Sequence, residues 1–508
     1  MTTLAHPMVL EPLADIGRPQ MARTTFGTNL LLSAALVGTI SLIVVLTLPD
    51  CRHWFMFPLM IVGTVMGVDL IAWARRQIDV FDPLVFTAGT AVFGYCVAPM
   101  LHVGWDIYDP LYNSLDDWPK RFGQFGLLLI PSILLFRLGQ RITSRRPKPP
   151  RSFWAMDNSR FIGGVTIGLL ISGAAAAYMQ IQFRGLQKDA ILDREAVEAL
   201  GHLSWIMMLE HPFAFLLTLA VVQLAYDPNN PKQRSLLFVL MLLAGLFVVQ
   251  FMLVGLRGSR SATVSAVFIA AGVIHYRVRR FKVVHALAGL ALLCAFMYFY
   301  LFFKRKGTEG LEALQGGAEA RAILQEEGQF SFQTMLLGDM ARADVQTFAL
   351  YRLIEYPDEY ELRWGWLYAN AFIGFIPRAV WPTKPVRVKN VAGIELEEGT
   401  GSADPEFYYS VKIYGLPGEA MLSFGLWGVP PMFMLYGLLL GWYRGRLAVW
   451  DPRDARFLLV PWLTYVSMSA WIGDSDNLVF SALVNGVLPF AVVYNGSKRV
   501  PTGAAALA

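Results

Sequence analysis

Apolar residues come in long blocks along this chain, with Lys and Arg confined to the gaps between them. Twelve stretches carry neither Lys nor Arg: 28–48, 54–73, 83–103, 122–136, 161–179, 204–225, 235–255, 261–275, 284–303, 418–442, 457–473 and 478–494. A helix rises ~1.5 Å per residue, so about 20 apolar residues cross a hydrocarbon core of ~30 Å. The pattern predicts twelve crossing helices, of which the fourth and eighth are short. It divides the chain into an N-terminal segment (1–27), nine crossings (28–303), a long loop (304–417), three crossings (418–494) and a tail (495–508). The expected fold is an all-α polytopic membrane protein.

The long loop has a pattern of its own. Residues 333–356 place Leu336, Leu337 and Met340, then Phe348, Leu350 and Leu353, at helical spacing, which predicts one amphipathic helix. The run WLYANAFIGFI at 366–376 is apolar but too short to cross, and predicts a re-entrant or interfacial helix ending at Pro377. Residues 390–415, rich in Gly, Glu and Tyr, read as a loop. The tail from Pro501 reads as a disordered end. No repeat of 20–50 residues is visible.

Composition sharpens this picture. Of 508 residues, 55% are hydrophobic and 16% charged, against about 25% charged in ordinary soluble domains. A water-soluble enzyme, a disulfide scaffold and a disordered chain are excluded. Cys51, Cys96 and Cys294 are too scattered for a disulfide framework or a thiolate metal site. The net charge of +5 invites a nucleic-acid reading until it is sorted by loop. With the N-terminus in the cytoplasm, 23 basic residues fall on cytoplasmic loops, while five short external loops hold eight basic and 11 acidic residues. The positive-inside rule then puts both termini in the cytoplasm and the 304–417 loop, with 12 basic and 16 acidic residues, outside. No nucleic-acid partner is expected.

Charge inside a crossing is costly, so its few occurrences are informative. Asp69 lies near a cytoplasmic end, where it is expected to reach water. Glu210, followed by His211 and Pro212, and Glu419 in Gly418-Glu419-Ala420 lie near external ends; the plain reading is a carboxylate favoured by a helix N-terminus. On the same side, Arg257 and Arg260 are three apart at a helix start, so their guanidinium groups can share a face. Gly and Ser around them allow backbone N–H groups to approach an anion. The loop adds Arg342, Arg378, Lys384 and Arg387. Arginine forks suit phosphate oxygens, with interfacial snorkelling as the plain alternative. Asp474-Ser475-Asp476 matches an Asp-x-Asp metal pattern, but in an external turn it reads as a short acidic turn. No GxxxxGK[ST] loop, HExxH motif or histidine cluster is present.

Four of these stretches together resemble the Wzy-type oligosaccharide repeat-unit polymerases, or O-antigen polymerases: GLRGSR at 255–260, GDMARAD at 338–344, IPRAVWPTKP at 376–385 and GEAMLSFGLWGV at 418–429. The resemblance implies a GT-C-like glycosyltransferase of the bacterial inner membrane, with its site facing the periplasm. Its donor would be a growing glycan on undecaprenyl diphosphate and its acceptor a fresh lipid-linked repeat unit; no nucleotide, metal or other cofactor is required. A chain-length regulator and a flippase are the implied protein partners, within membrane lipid. Under that resemblance Arg257, Arg260 and Arg378 clamp the diphosphate, with Lys384 and Arg387 in support. Glu419 is the first candidate for the base, with Asp344, Glu210 and His211 as alternatives. Arg342 would orient an acidic partner, and Trp366, Trp381 and Tyr408 would stack on sugars. Two rivals remain: an O-antigen ligase, which shares this plan, and a transporter or flippase, which predicts internal repeats and midplane charges.

Overall fold

The computed structural model describes residues 23–109, 112, 115–144, 147–184, 204–226, 230–257, 260–306, 331–374, 376, 381, 388–403, 412–451 and 453–502. The architecture is helical. In chain order the helices are α1 (Arg23–Thr47), α2 (Met56–Ala74), α3 (Pro83–Trp105), α4 (Trp118–Thr143), α5 (Asn158–Arg184), α6 (Ser204–Glu210), α7 (Phe213–Ala220), α8 (Leu236–Leu253) and α9 (Arg260–Arg277). They continue with α10 (Val283–Lys306), α11 (Phe332–Met340), α12 (Ala343–Glu355), α13 (Trp366–Ile373), α14 (Val388–Glu398), α15 (Gly415–Phe424), α16 (Val429–Leu447), α17 (Val460–Ile472) and α18 (Ser475–Asn495). Among the described residues eight are long and apolar enough to cross a membrane: α1, α2, α3, α4, α5, α8, α10 and α18. The chain is an all-α multi-pass membrane protein.

These eight coincide with eight of the twelve predicted crossings. The other four are helical in shorter or more polar pieces. The 204–225 block breaks at His211–Pro212 into α6 and α7, followed by a π turn at Val221–Ala225. The 261–275 block is α9, which carries Ser, Thr and His and ends on Arg277. The 457–473 block is a 3-10 turn, Ala455–Leu458, plus the thirteen residues of α17. The 418–442 block is two helices rather than one, separated at Gly425 (φ 68°). Pro430 and Pro431 explain the break: proline is tolerated in a first turn but not inside a continuous helix.

Close approach of α4 and α16 forms the spine of the bundle. A Cβ on Gly139 would stand 2.5 Å from Met434 O, and one on Gly437 would strike the Phe136 backbone. Small residues at such crossings let backbones meet, and Thr143 Oγ1 donates to Leu438 O at 2.7 Å. Above this crossing, Trp471 is fully buried, with the rings of Phe136, Phe433, Tyr95 and Tyr436 centred 5.2–5.6 Å away. Tyr95 belongs to a π turn (Phe93–Val97) just before Pro99, where a helix must shed a hydrogen bond. Trp471 in turn anchors the end of α17 and the turn that follows.

The bundle has two chemically different ends. At one, Arg75 bonds Asn29, Arg444 pairs with Asp82, His275 with Asp79, and Arg456 with Asp454. Here too strands β1 (Ser152–Met156) and β2 (Ser497–Pro501) pair antiparallel, Trp154 opposite Arg499. Of the tail expected to be disordered, Pro501 ends β2 and Thr502 follows it, while residues 503–508 lie outside the described ones. Asp69, expected to reach water, is instead buried and paired with Arg137 at 2.6 Å, because Arg137 also reaches Val65 O at 2.7 Å and closes the space.

At the other end lie the residues after α3, the starts of α4 and α18, and helices α11–α15. Two expectations for the long loop change here. Residues 333–356 form α11 and α12, not one helix, because the chain turns at Arg342 with φ 57°. Within 390–415, read as a loop, α14 runs from Val388 to Glu398. Its buried Ala392 and Leu396, the Arg363–Glu395 ion pair and the bond from Arg352 Nε to Leu396 O at 2.7 Å supply the tertiary contacts that local composition did not reveal.

Candidate functional site

Glu419, on the second turn of α15, is the centre of the most unusual charge arrangement among the described residues. It is 5% exposed, and its carboxylate accepts from Ser475 N at 2.8 Å and Ser475 Oγ at 2.5 Å. The neighbouring Asp474 is fully buried. Its Oδ1 accepts from Tyr414 N and Gly415 N, both at 2.8 Å, and its Oδ2 lies 2.7 Å from Lys389 Nζ. The same ammonium is 3.7 Å from Asp476. Asp474 therefore joins the start of α15 to the start of α18 and to α14.

Local backbone makes this possible. Gly415 has φ 64°, and a Cβ there would come within 2.8 Å of both Gln346 Nε2 and Trp471 O. Only glycine fits the left-handed turn and the contact together. Gln346 of α12 also donates to Tyr414 O at 3.0 Å, locking the turn from behind. On the open side, Tyr368 of α13 stacks on Phe424 with ring centroids 6.2 Å apart. Its buried hydroxyl has no hydrogen-bond partner among the described residues.

Electrostatics follow from the packing. Burial, then the charge of Asp474, pushes the Glu419 carboxyl above the usual range, against the two Ser475 hydrogen bonds. Burial also raises Asp474, against Lys389 and the backbone N–H groups. Burial opposes charge on Lys389, but Asp474 and Asp476 outweigh it and hold the ammonium above its ordinary value. Two neighbouring carboxyls of this kind titrate as a pair. The Tyr368 phenol is raised by burial and then by Glu419 and Asp474, which places all three in one electrostatic neighbourhood.

Other expected site residues are distributed around this centre. Asp344 is buried in the first turn of α12, accepts from Asp109 N at 3.0 Å and faces His102 Nε2 at 3.9 Å. It is one layer from Glu419, linked through α12 by Gln346. Arg342, directly before α12, is half-buried; among the described residues no acid pairs with its guanidinium. Glu210 is buried at the end of α6, and the His211 ring packs edge-on against Phe480 of α18 at 6.0 Å. That pair approaches the helix carrying Ser475, without reaching Glu419 through any described contact.

Arg260 opens α9 and acts electrostatically on Tyr300, whose hydroxyl bonds Gly255 O at 2.7 Å. Arg279 Nη1 reaches Arg234 O at 3.2 Å at the basic end, so the opposite ends of α8 and α9, with Gly255–Arg257, lie at the Glu419 end. Arg257 belongs to a separate 3-10 turn, and its side chain lies outside the described ones. Trp366 and Trp381 are exposed, at 47% and 37%. Arg378, Lys384, Arg387 and Tyr408 lie outside the described residues.

The chain matches no family model, no curated protein and no solved structure. The site therefore has to be read from its own chemistry. Lys389, Asp474 and Tyr368 are the residues that sequence reasoning passed over. Lys389 ends the run IPRAVWPTKPVRVK and was hidden because the helix it opens was read as loop. Asp474 was weighed only as half of a metal motif, whereas its position directly before a crossing marks it as a helix-start residue. The arrangement offers a buried carboxyl that can take a proton, held by a hydroxyl and a backbone N–H, beside a cation and an unpartnered phenol.

Proposed function

We propose that the chain polymerises lipid-diphosphate-linked oligosaccharide repeat units into a surface polysaccharide, as the resemblance to Wzy-type polymerases implies. The observation that carries this reading is convergence. Glu419 from GEAMLSFGLWGV, Asp344 and Arg342 from GDMARAD, and Lys389, four residues after the IPRAVWPTKP run, belong to one end of the bundle. These stretches are separated by up to about 80 residues in sequence.

In the proposed reaction, a sugar hydroxyl of the new lipid-linked unit attacks the anomeric carbon of the growing chain. The new C–O bond forms as the bond to undecaprenyl diphosphate breaks, and the diphosphate leaves with the electron pair. Glu419 takes the hydroxyl proton, a role suited to a carboxyl whose proton affinity is raised towards neutral pH. Arg257, Arg260 and Arg378, supported by Lys384 and Arg387, stabilise the leaving diphosphate, since fixed guanidinium groups act strongly where water is excluded. Asp344 is the alternative base; it too is buried and accepts a backbone N–H, but it faces His102 rather than Lys389 and Asp474. We also infer a GT-C-like plan of twelve crossings, with α7, α9, α16 and α17 completing the eight long ones. The basic end then faces the cytoplasm with both termini, and the Glu419 end faces the periplasm of the inner membrane.

The test is a polymerisation assay on Glu419→Ala, Arg260→Ala and Arg378→Ala. Each variant is expected to accumulate single lipid-linked repeats at wild-type protein level. Wild-type chain lengths in all three would overturn the reading. Lipid-linked polymer that forms but never reaches the lipid core would identify a ligase instead.

A further inference from the structure

Four cations at this end each have a single acid partner: Arg121 has Glu355, Arg352 has Glu359, Arg363 has Glu395 and Lys412 has Asp109. Lys389 stands among three acids, with Asp474 and Asp476 in contact and Glu419 acting on it through space. Its place in the fold is also unfavourable. It is the second residue of α14, and a cation in a first turn opposes the helix dipole. Its side chain is only 11% exposed. Helix formation and solvation both argue against a lysine here, so its contribution is to the acids it faces.

Those acids are not equivalent. Among the described residues Asp474 has two backbone N–H groups and an ammonium to hold its charge, whereas Glu419 has the backbone N–H and hydroxyl of Ser475. Asp476 is a third exposed and can be solvated, but ionising both buried carboxyls beside one cation leaves a negative charge uncompensated in a buried space. One proton relieves this, and the worse-solvated Glu419 is where it sits.

We propose that Lys389 is a positioning residue that holds Asp474 ionised beside Glu419, so that the two carboxyls share a single exchangeable proton carried on Glu419. The pair would release that proton to water before turnover, and the emptied Glu419 carboxylate would then take the proton of the substrate hydroxyl in its place. This rests on the reading of Glu419 as the proton acceptor, although the pairing itself does not require any particular substrate. The titratable groups around Glu419 are Asp474 and Asp476 of the turn before α18, Lys389 of α14 and Tyr368 of α13. Of the charged groups on α12, Asp344 is turned to His102 and Asp109, while Arg352 and Glu355 pair with Glu359 and Arg121.

The experiment is an infrared titration of protonated carboxyl in the purified full-length protein in lipid nanodiscs, with the band assigned by its loss in Glu419→Gln. Lys389→Met removes the compensating charge, and the band should titrate about one pH unit or more higher than in wild type. Asp474→Asn removes the competing charge, and the band should titrate about one unit or more lower. Lys389→Arg, which keeps the charge, should stay near wild type and controls for misfolding. Opposite shifts support the inference, because a purely structural lysine would not produce them. An unmoved band, or shifts in the same direction, overturns it. The titration needs no glycan, so a protein that fails to polymerise but shows opposite shifts refutes the polymerase reading alone.

Discussion

The two ends of this bundle use charge for different purposes. At the basic end each buried acid meets a cation of its own: Asp69 with Arg137, Asp82 with Arg444 and Asp454 with Arg456. These pairs are reinforced by backbone groups, as by Leu84 N for Asp82 and Val65 O for Arg137. At the other end, Glu419, Asp474 and Asp476 gather round Lys389. One-to-one pairs hold helices in register. A mismatched group keeps a proton in play, which is a poor way to stabilise a fold and a useful way to run a reaction.

The largest effect should come from Glu419→Gln, which keeps shape and removes the proposed base. Polymerisation should fall on the order of 10²–10⁴-fold, measured as turnover of lipid-linked repeats by folded protein. An equal loss on breaking Asp69–Arg137 at the opposite end would abolish the distinction between the ends. Next, Arg137→Met leaves Asp69 buried and unpaired, and should cost roughly 3–5 kcal/mol of stability. Thermal unfolding in detergent would read that loss, while turnover per folded molecule stays at the wild-type value.

A smaller effect concerns stability against pH. The folded value of Glu419 lies above its ordinary one, so the native state binds that proton more tightly than the unfolded chain. Its stabilising contribution is complete below the ordinary glutamate range and is lost as pH rises through the folded value. Glu419→Gln should therefore melt like wild type in acid and a few degrees higher in alkali. A variant that is less stable than wild type at alkaline pH would show that the carboxylate is structural. The smallest effect is expected from Lys498→Ala. Its partner Asp157 is held below the usual carboxylate range mainly by the Lys498 hydrogen bond, in the open at the basic end. Melting should not change measurably, because water replaces such a partner easily.

Much of the membrane plan was legible because long apolar runs bounded by charge have few alternatives. The run from Leu236 to Leu253 is an example, apolar on every face. Glu419 was legible for a related reason, since a lone acid in an apolar block is conspicuous. What stayed hidden depended on contacts between distant segments. The helix from Val388 was masked by Gly393 and a run of glutamates, and exists because it packs on α12 and α13. The break at Gly425 was written in Pro430-Pro431, yet the surrounding apolar residues outweighed it. Lys389 and Asp474 acquire their meaning only when α14 and α18 are brought together, which no local pattern states.

The short ribbon at the basic end has a bearing on biosynthesis. Thr502 Oγ1 donates to Pro150 O across 352 residues of chain, and β2 is synthesised after every described helix. At about 5–20 residues per second, β1 waits ~20–70 s for its partner. During that interval the edge of β1 is open, and Trp154 also waits for its ring partners Phe490 and Tyr494 on α18. Closure of the ribbon thus reports that translation has passed β2, so a chain truncated before Ser497 would be left with an unpaired strand that quality-control proteases can grip.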